Sequence, residues 1–131
     1  MRDVNQLIED LRSAAQALEA LSNAPPQTVQ ERQNTASVVS EARSTLRQLT
    51  NIGAEPEDFD TETSLWRQAR QVADGRRILA NALSIAAQSL FTAADPIAVR
   101  RDLARAARGL VQHAALEQAL LAGPAGNREV A

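Results

Sequence analysis

The chain has no cysteine, no tyrosine and no lysine, and its one histidine is His113. Without cysteine there can be neither disulfides nor thiolate metal sites. Aromatic residues are down to Phe59, Trp66 and Phe91, too few for a platform on which bases could stack. Residues that favour strands, β-branched and aromatic, are sparse. There is no glycine-rich phosphate loop, no G-x-S-x-G and no H-E-x-x-H. Residues 1–10 hold Asp3, Glu9 and Asp10 and lack the apolar run of a signal peptide. The longest uncharged stretch, residues 78–94, is interrupted by Asn81, Ser84, Gln88, Ser89 and Thr92. It is too short and too polar to cross a bilayer.

What remains is helix-forming material. Of 131 residues 26 are alanine, and all 14 basic side chains are arginine. Alanine has the highest intrinsic helix propensity, with leucine, arginine, glutamine and glutamate close behind. The expectation is an all-α chain folded as one domain over residues 1–122, with a short flexible tail at 123–131.

Periodicity gives four helices. The first runs from Asp3 to Asn23, with Asp3 as N-cap and Gln6 completing a capping box. Val4, Leu7, Leu11, Ala14, Leu18 and Leu21 form its apolar seam, widened by Ile8 and Ala15. The second starts near Pro25 or Pro26, where proline fits the first turn, and ends at residues 51–53. Val39, Ala42, Leu46 and Leu49 are its seam. Its polar first half offers only Val29 and Ala36 for burial, so that half should overhang a shorter neighbour or meet another molecule. An acidic loop follows at residues 53–63, with Phe59 positioned to tuck back as an anchor and Thr61 or Thr63 as the next cap.

The third helix spans residues 62–93. Leu65, Ala69, Val72, Leu79, Leu83, Ala86 and Leu90 form its seam, widened by Ile78 and Ile85. The heptad position between Val72 and Leu79 is Arg76, beside Gly75. Glycine costs about 1 kcal/mol against alanine inside a helix, so a kink, a break or a close helix approach is expected there. Asp95-Pro96 starts the fourth helix. Its seam is Ile97, Leu103, Ala107, Leu110, Ala114 and Leu121. Short connections favour an antiparallel up-down-up-down four-helix bundle. The alternative is an elongated helical hairpin completed by oligomerisation.

Little here is equipped for catalysis, and the expectation is no enzyme activity, no cofactor, no metal and no small-molecule substrate. His113 and Glu117 share a helix face at i, i+4, but two ligands do not make a metal site. The Glu-x-x-His pairs of di-iron bundles are absent. Phosphorelay domains place a lysine three residues after their histidine, and a small residue after that. Leu116 and Glu117 stand at those positions. His113 is expected at the surface or in an interface.

Charge is segregated. Residues 1–60 carry ten acids against five arginines, and residues 65–108 carry eight arginines against three acids. Arg101, Arg105 and Arg108 make one stripe and Arg67, Arg70 and Arg77 another. Ion pairs between helices, docking of a protein partner and binding of nucleic acid are the three uses weighed for them. With Glu57, Asp58 and Asp60 of the acidic loop, and Phe59 and Trp66 as apolar anchors, these arginines are the candidate partner-binding residues. The alanine- and glutamine-rich seams resemble those of many unrelated helical adaptor, coiled-coil and virion-assembly proteins, so no residue role carries over. The function expected is that of a non-enzymatic structural or adaptor protein, self-associating or built into an assembly. Its place would be the cytoplasm or a viral particle. The alternative is a small nucleic-acid-binding regulator.

Overall fold

The computed structural model describes residues 3–92 and 95–123. Four helices follow one another: α1 (Val4–Asn23), α2 (Val29–Ile52), α3 (Ser64–Thr92) and α4 (Pro96–Leu121), with one 3-10 turn at Pro56–Asp58 between α2 and α3. No strand occurs among the described residues. Each helix packs on its neighbours in sequence, and α1 also packs on α4, so the four close into a ring around a shared core. This is the up-down-up-down bundle, and the hairpin that needs a second chain to complete its core is not formed.

Local chemistry sets the helix starts. Asp3 Oδ1 accepts from the Gln6 amide at 2.8 Å, and Asp95 Oδ1 accepts from Ile97 at 2.9 Å with Pro96 in the first turn. Thr63 Oγ1 accepts from Trp66 at 3.2 Å and caps α3. The second start differs from expectation. Pro25 and Pro26 stay in the connection and α2 begins at Val29, because Thr28 caps the Glu31 amide at 3.0 Å. Glu31 Oε2 reaches back to the Gln27 amide at 3.0 Å. A hydroxyl cap with a returning carboxylate satisfies more orphan amides than proline can.

The core holds the expected seams of α1 and α2, and of α3 from Ala69 to Leu90. Four apolar residues fall elsewhere. Ile78 and Ile85 are exposed, as are Ile97 and Leu121, while Val99 and Leu120 are buried. At about 100° per residue, Ile78 and Ile85 lie some 100–120° from Leu79, too far round to reach the core, and Ile97 is similarly displaced from Leu103. Leu120 lies within about 20° of His113 on the helical wheel and packs with Ala69 and Val72 of α3, while Leu121, the last residue of α4, is exposed. The first half of α2 does not overhang. Thr35 is buried there, its hydroxyl bonded to the Glu31 carbonyl at 2.8 Å, and Ala36 packs on the core while Val29 is exposed. A threonine that bonds within its own helix can occupy an apolar position.

No break occurs at Gly75, and α3 runs on through it. The close approach is what forms. A β-carbon at Gly75 would stand 2.9 Å from His113 Nδ1 on α4. Phe59 does tuck back, packing on Ala69, Val72 and Leu120. Gly123, expected in the tail, is buried, and a β-carbon there would stand 2.5 Å from Leu65 Cδ2. The rest of the tail, 124–131, lies outside the described residues. No described helix is long and apolar enough to cross a membrane.

Candidate functional site

Arg76, His113 and Glu117 form an ionic layer inside the bundle. Arg76 is 4% exposed, and His113 and Glu117 are 3% each. Arg76 and Glu117 occupy inward positions on α3 and α4, so packing these helices brings them together. Arg76 donates side-on, from Nε to Glu117 Oε2 at 2.7 Å and from Nη2 to Oε1 at 2.9 Å. His113 Nε2 lies 2.8 Å from Glu117 Oε2. An ionised carboxylate can only accept, so Nε2 carries the hydrogen and donates. On the far side Arg76 Nη1 is 3.5 Å from Glu55 Oε1 in the loop.

Two glycines make room for this layer. A β-carbon at Gly53 would stand 2.7 Å from Arg76 Nη2, and one at Gly75 would press on the His113 ring. Gly53 ends α2 at φ −77°, so close approach, and not a left-handed backbone, is what calls for glycine. His113 Nδ1, under Gly75, has no hydrogen-bond partner.

Burial alone would push the Glu117 carboxyl up. The hydrogen bonds from His113 and Arg76, with their positive charge, outweigh that and hold it below its ordinary value. The carboxylate is thus ionised and its oxygens are spoken for. A general acid or base has to reach its substrate, and neither Glu117 nor His113 is open to one.

The expectation that His113 lies at the surface is corrected: the residue is core. Its ring fills the space that Gly75 vacates, an arrangement that spacing within α4 alone does not reveal. The expected ion pair between helices also exists, but it uses Arg76, which belongs to neither stripe.

The stripe arginines are exposed and tied locally. Arg67 pairs with Glu62 at 3.5 Å, Arg77 with Asp74, and Arg101 with Asp102 at 3.5 Å. Arg70 stands over the half-buried Trp66 ring, 5.1 Å from its centroid. Arg105 and Arg108 have no ion-pair partner among the described residues. Leu65 lies by Gly123, Ser89 donates to Asp102, and Gly109 approaches Leu79. Arg67 and Arg70 therefore sit toward one end of the bundle and Arg101 and Arg105 toward the other, while Arg77 and Arg108 lie near mid-height on α3 and α4. No single surface gathers both stripes. Glu57, Asp58 and Asp60 are exposed on the loop, where Asp58 Oδ2 accepts from the Glu55 amide at 2.8 Å.

Two surface features were not singled out from the sequence. Between α2 and α3 a cavity of about 340 Å³ is lined by Arg43, Arg47, Arg76 and Arg77, with Glu55 at its edge and Leu46 and Ala80 among its apolar walls. At the end carrying the α1–α2 and α3–α4 connections, another of about 330 Å³ has Leu90 and Val99 in its wall and Arg32 and Arg100 at its rim. Val29, Phe91 and Ile97 share that end and are 67%, 57% and 70% exposed.

No protein-family model matches the chain, and comparisons with curated proteins and with solved structures find no match either.

Proposed function

We infer that this bundle acts by contact, as a non-enzymatic subunit that associates end to end with copies of itself. One observation carries the reading. Val29, Phe91 and Ile97, each more than half exposed, all lie at the end that carries the α1–α2 and α3–α4 connections. Scattered apolar residues on a surface need no explanation, whereas a gathering of large ones marks an interaction site.

Charge supports a second copy as the occupant. Arg32 and Arg100 at the rim have no ion-pair partner among the described residues. Glu31 and Asp95, the carboxylates near them in sequence, are engaged by the Gln27 and Ile97 amides. The opposite end presents Glu57, Asp58 and Asp60, exposed on the α2–α3 loop, with Glu62 paired to Arg67 beside them. An acidic end therefore meets an arginine-rimmed apolar end when copies stack in one direction. The arginine stripes of α3 and α4 add less, because they are not assembled into one face.

The test is the mass of the protein in solution across a range of concentrations, by sedimentation or light scattering. Growth of mass with concentration is the expected result. A strict monomer at the highest concentration reached would sink the reading.

A further inference from the structure

The α2–α3 groove holds four guanidinium groups, and folding accounts for only part of that. Arg43 and Arg47 lie one turn apart on the same face of α2. Like charges at this spacing oppose each other by about 0.2–0.5 kcal/mol. Neither has an ion-pair partner among the described residues. Arg77 answers only to Asp74 on its own helix.

Arg76 stands between the groove and the core. Glu117 grips it through Nε and Nη2, which leaves the two hydrogens of Nη1 turned toward Glu55 and the cavity. The 3.5 Å from Nη1 to Glu55 Oε1 is longer than the roughly 2.7–2.9 Å of a well-formed charge-assisted bond. Glu55 belongs to the loop and its side chain is about one-third exposed. It is the one carboxylate lining the groove.

We propose that the groove is a phosphate-binding site, in which the phosphate group of a ligand meets Arg76 Nη1 and the guanidinium groups of Arg43, Arg47 and Arg77, with the Glu55 carboxylate holding its place until it arrives. Arginine is the side chain best suited to such a ligand, since its planar fork matches phosphate oxygens and its charge is permanent. Arg76 is the pre-set member, because the buried carboxylate fixes its plane. Arg43, Arg47 and Arg77 are exposed side chains that reach the ligand from the groove walls. At about 340 Å³ the cavity has room for a phosphate or diphosphate with a small attached group. The site goes beyond the end-to-end contact proposed above, for it uses other residues on the flank of the bundle.

Calorimetric titration with pyrophosphate and with inorganic phosphate, at constant ionic strength, tests this. The full chain should bind pyrophosphate saturably. R43Q/R47Q should weaken binding about tenfold or more, the scale of losing one bond to a charged group. E55Q should strengthen it several-fold by removing the competing carboxylate. R67Q/R70Q, which alters exposed arginines outside the groove, should leave it unchanged. Circular dichroism establishes that each variant is folded. Absence of saturable binding by both the parent and E55Q would overturn the proposal, as would equal weakening by R67Q/R70Q. A single-stranded oligonucleotide serves as a further arm. Steeply salt-dependent binding of the oligonucleotide alone, without pyrophosphate, would mean a diffuse basic surface and would also overturn it.

Discussion

Glu117 is the residue on which the interior depends most. Two donors share it, and the buried Arg76 charge would be left without a counter-charge in the core if it were neutral. Breaking a buried pair by removing one partner costs about 3–5 kcal/mol, whereas replacing both with apolar residues is often close to neutral. Glu117→Gln should therefore destabilise the protein by an amount in that range, a large part of the roughly 5–15 kcal/mol a domain has. R76M/E117L removes the ion pair whole and leaves only the His113 donor unpaired, at about 1–3 kcal/mol for an unsatisfied buried group, so it should cost less. The pH dependence has a fixed sign. A carboxyl whose folded-state value lies below its unfolded one adds stability above the unfolded value, and that stability is lost as pH falls through the folded one. Urea denaturation of the parent should show a fall in stability through the acid range that is shallower in R76M/E117L. Equal slopes would mean that Glu117 does not hold the charge assigned to it. Arg76 was visible in the sequence as the odd member of an apolar seam, and His113 and Glu117 as a pair on one face. What could not be read was that the faces coincide. That needs the offset between α3 and α4, which no spacing within either helix contains.

At the scale of elements, α3 and α4 are pinned twice, by the ionic layer and by Ser89 with Asp102. The layer also parts the main core from the smaller cluster of Ala69, Val72 and Leu120. Sliding one helix by a turn would strand buried charge, so these contacts select one offset among the many that leucine and alanine seams permit. The helices themselves were legible, because caps and seams are local: Asp3, Asp95 and the run from Leu79 to Leu90 sit where the pattern puts them. Ile78, Ile85 and Ile97 misled because apolar character was taken for inward direction, and the helical wheel turns them aside; Leu121 shares the wheel position of Leu103 but is exposed where α4 ends. Gly75 shows packing and propensity in opposition. Alanine there gains about 1 kcal/mol as a helix former. Its β-carbon, 2.9 Å from a ring that has nowhere to go, incurs an overpacking cost of about 1–3 kcal/mol. Gly75→Ala should thus lower stability by up to about 2 kcal/mol. The sharper test is coupling: His113→Ala should cost less in the Gly75→Ala background than in the parent. Additive losses would mean that Gly75 is not there for the ring.

For the whole molecule, the end-to-end arrangement makes a demand that a symmetric dimer does not. A contact between two different patches leaves one of each unused in every finite chain, so growth continues unless the geometry closes a ring. An isologous dimer stops at two. Phe91→Ser with Ile97→Ser removes apolar surface from one end and leaves the acidic loop at the other untouched. Both side chains are exposed, so the bundle should fold as before. Alone, this variant should stay monomeric at concentrations where the parent grows. Mixed with the parent, it should still offer its acidic end to a free apolar end, and then present nothing for the next copy to bind. A minor fraction of variant should therefore shorten the parent assemblies out of proportion to its amount, and neutralising Glu57, Asp58 and Asp60 in the variant should abolish that poisoning. If the contact joined identical patches, the variant could not enter it as a full partner and would merely dilute the parent. Mass distributions of such mixtures, measured by sedimentation at low salt and again at high salt, separate the two cases. The acidic contribution should weaken as salt screens it, on the scale of a Debye length of about 8 Å at physiological ionic strength. The apolar part should persist.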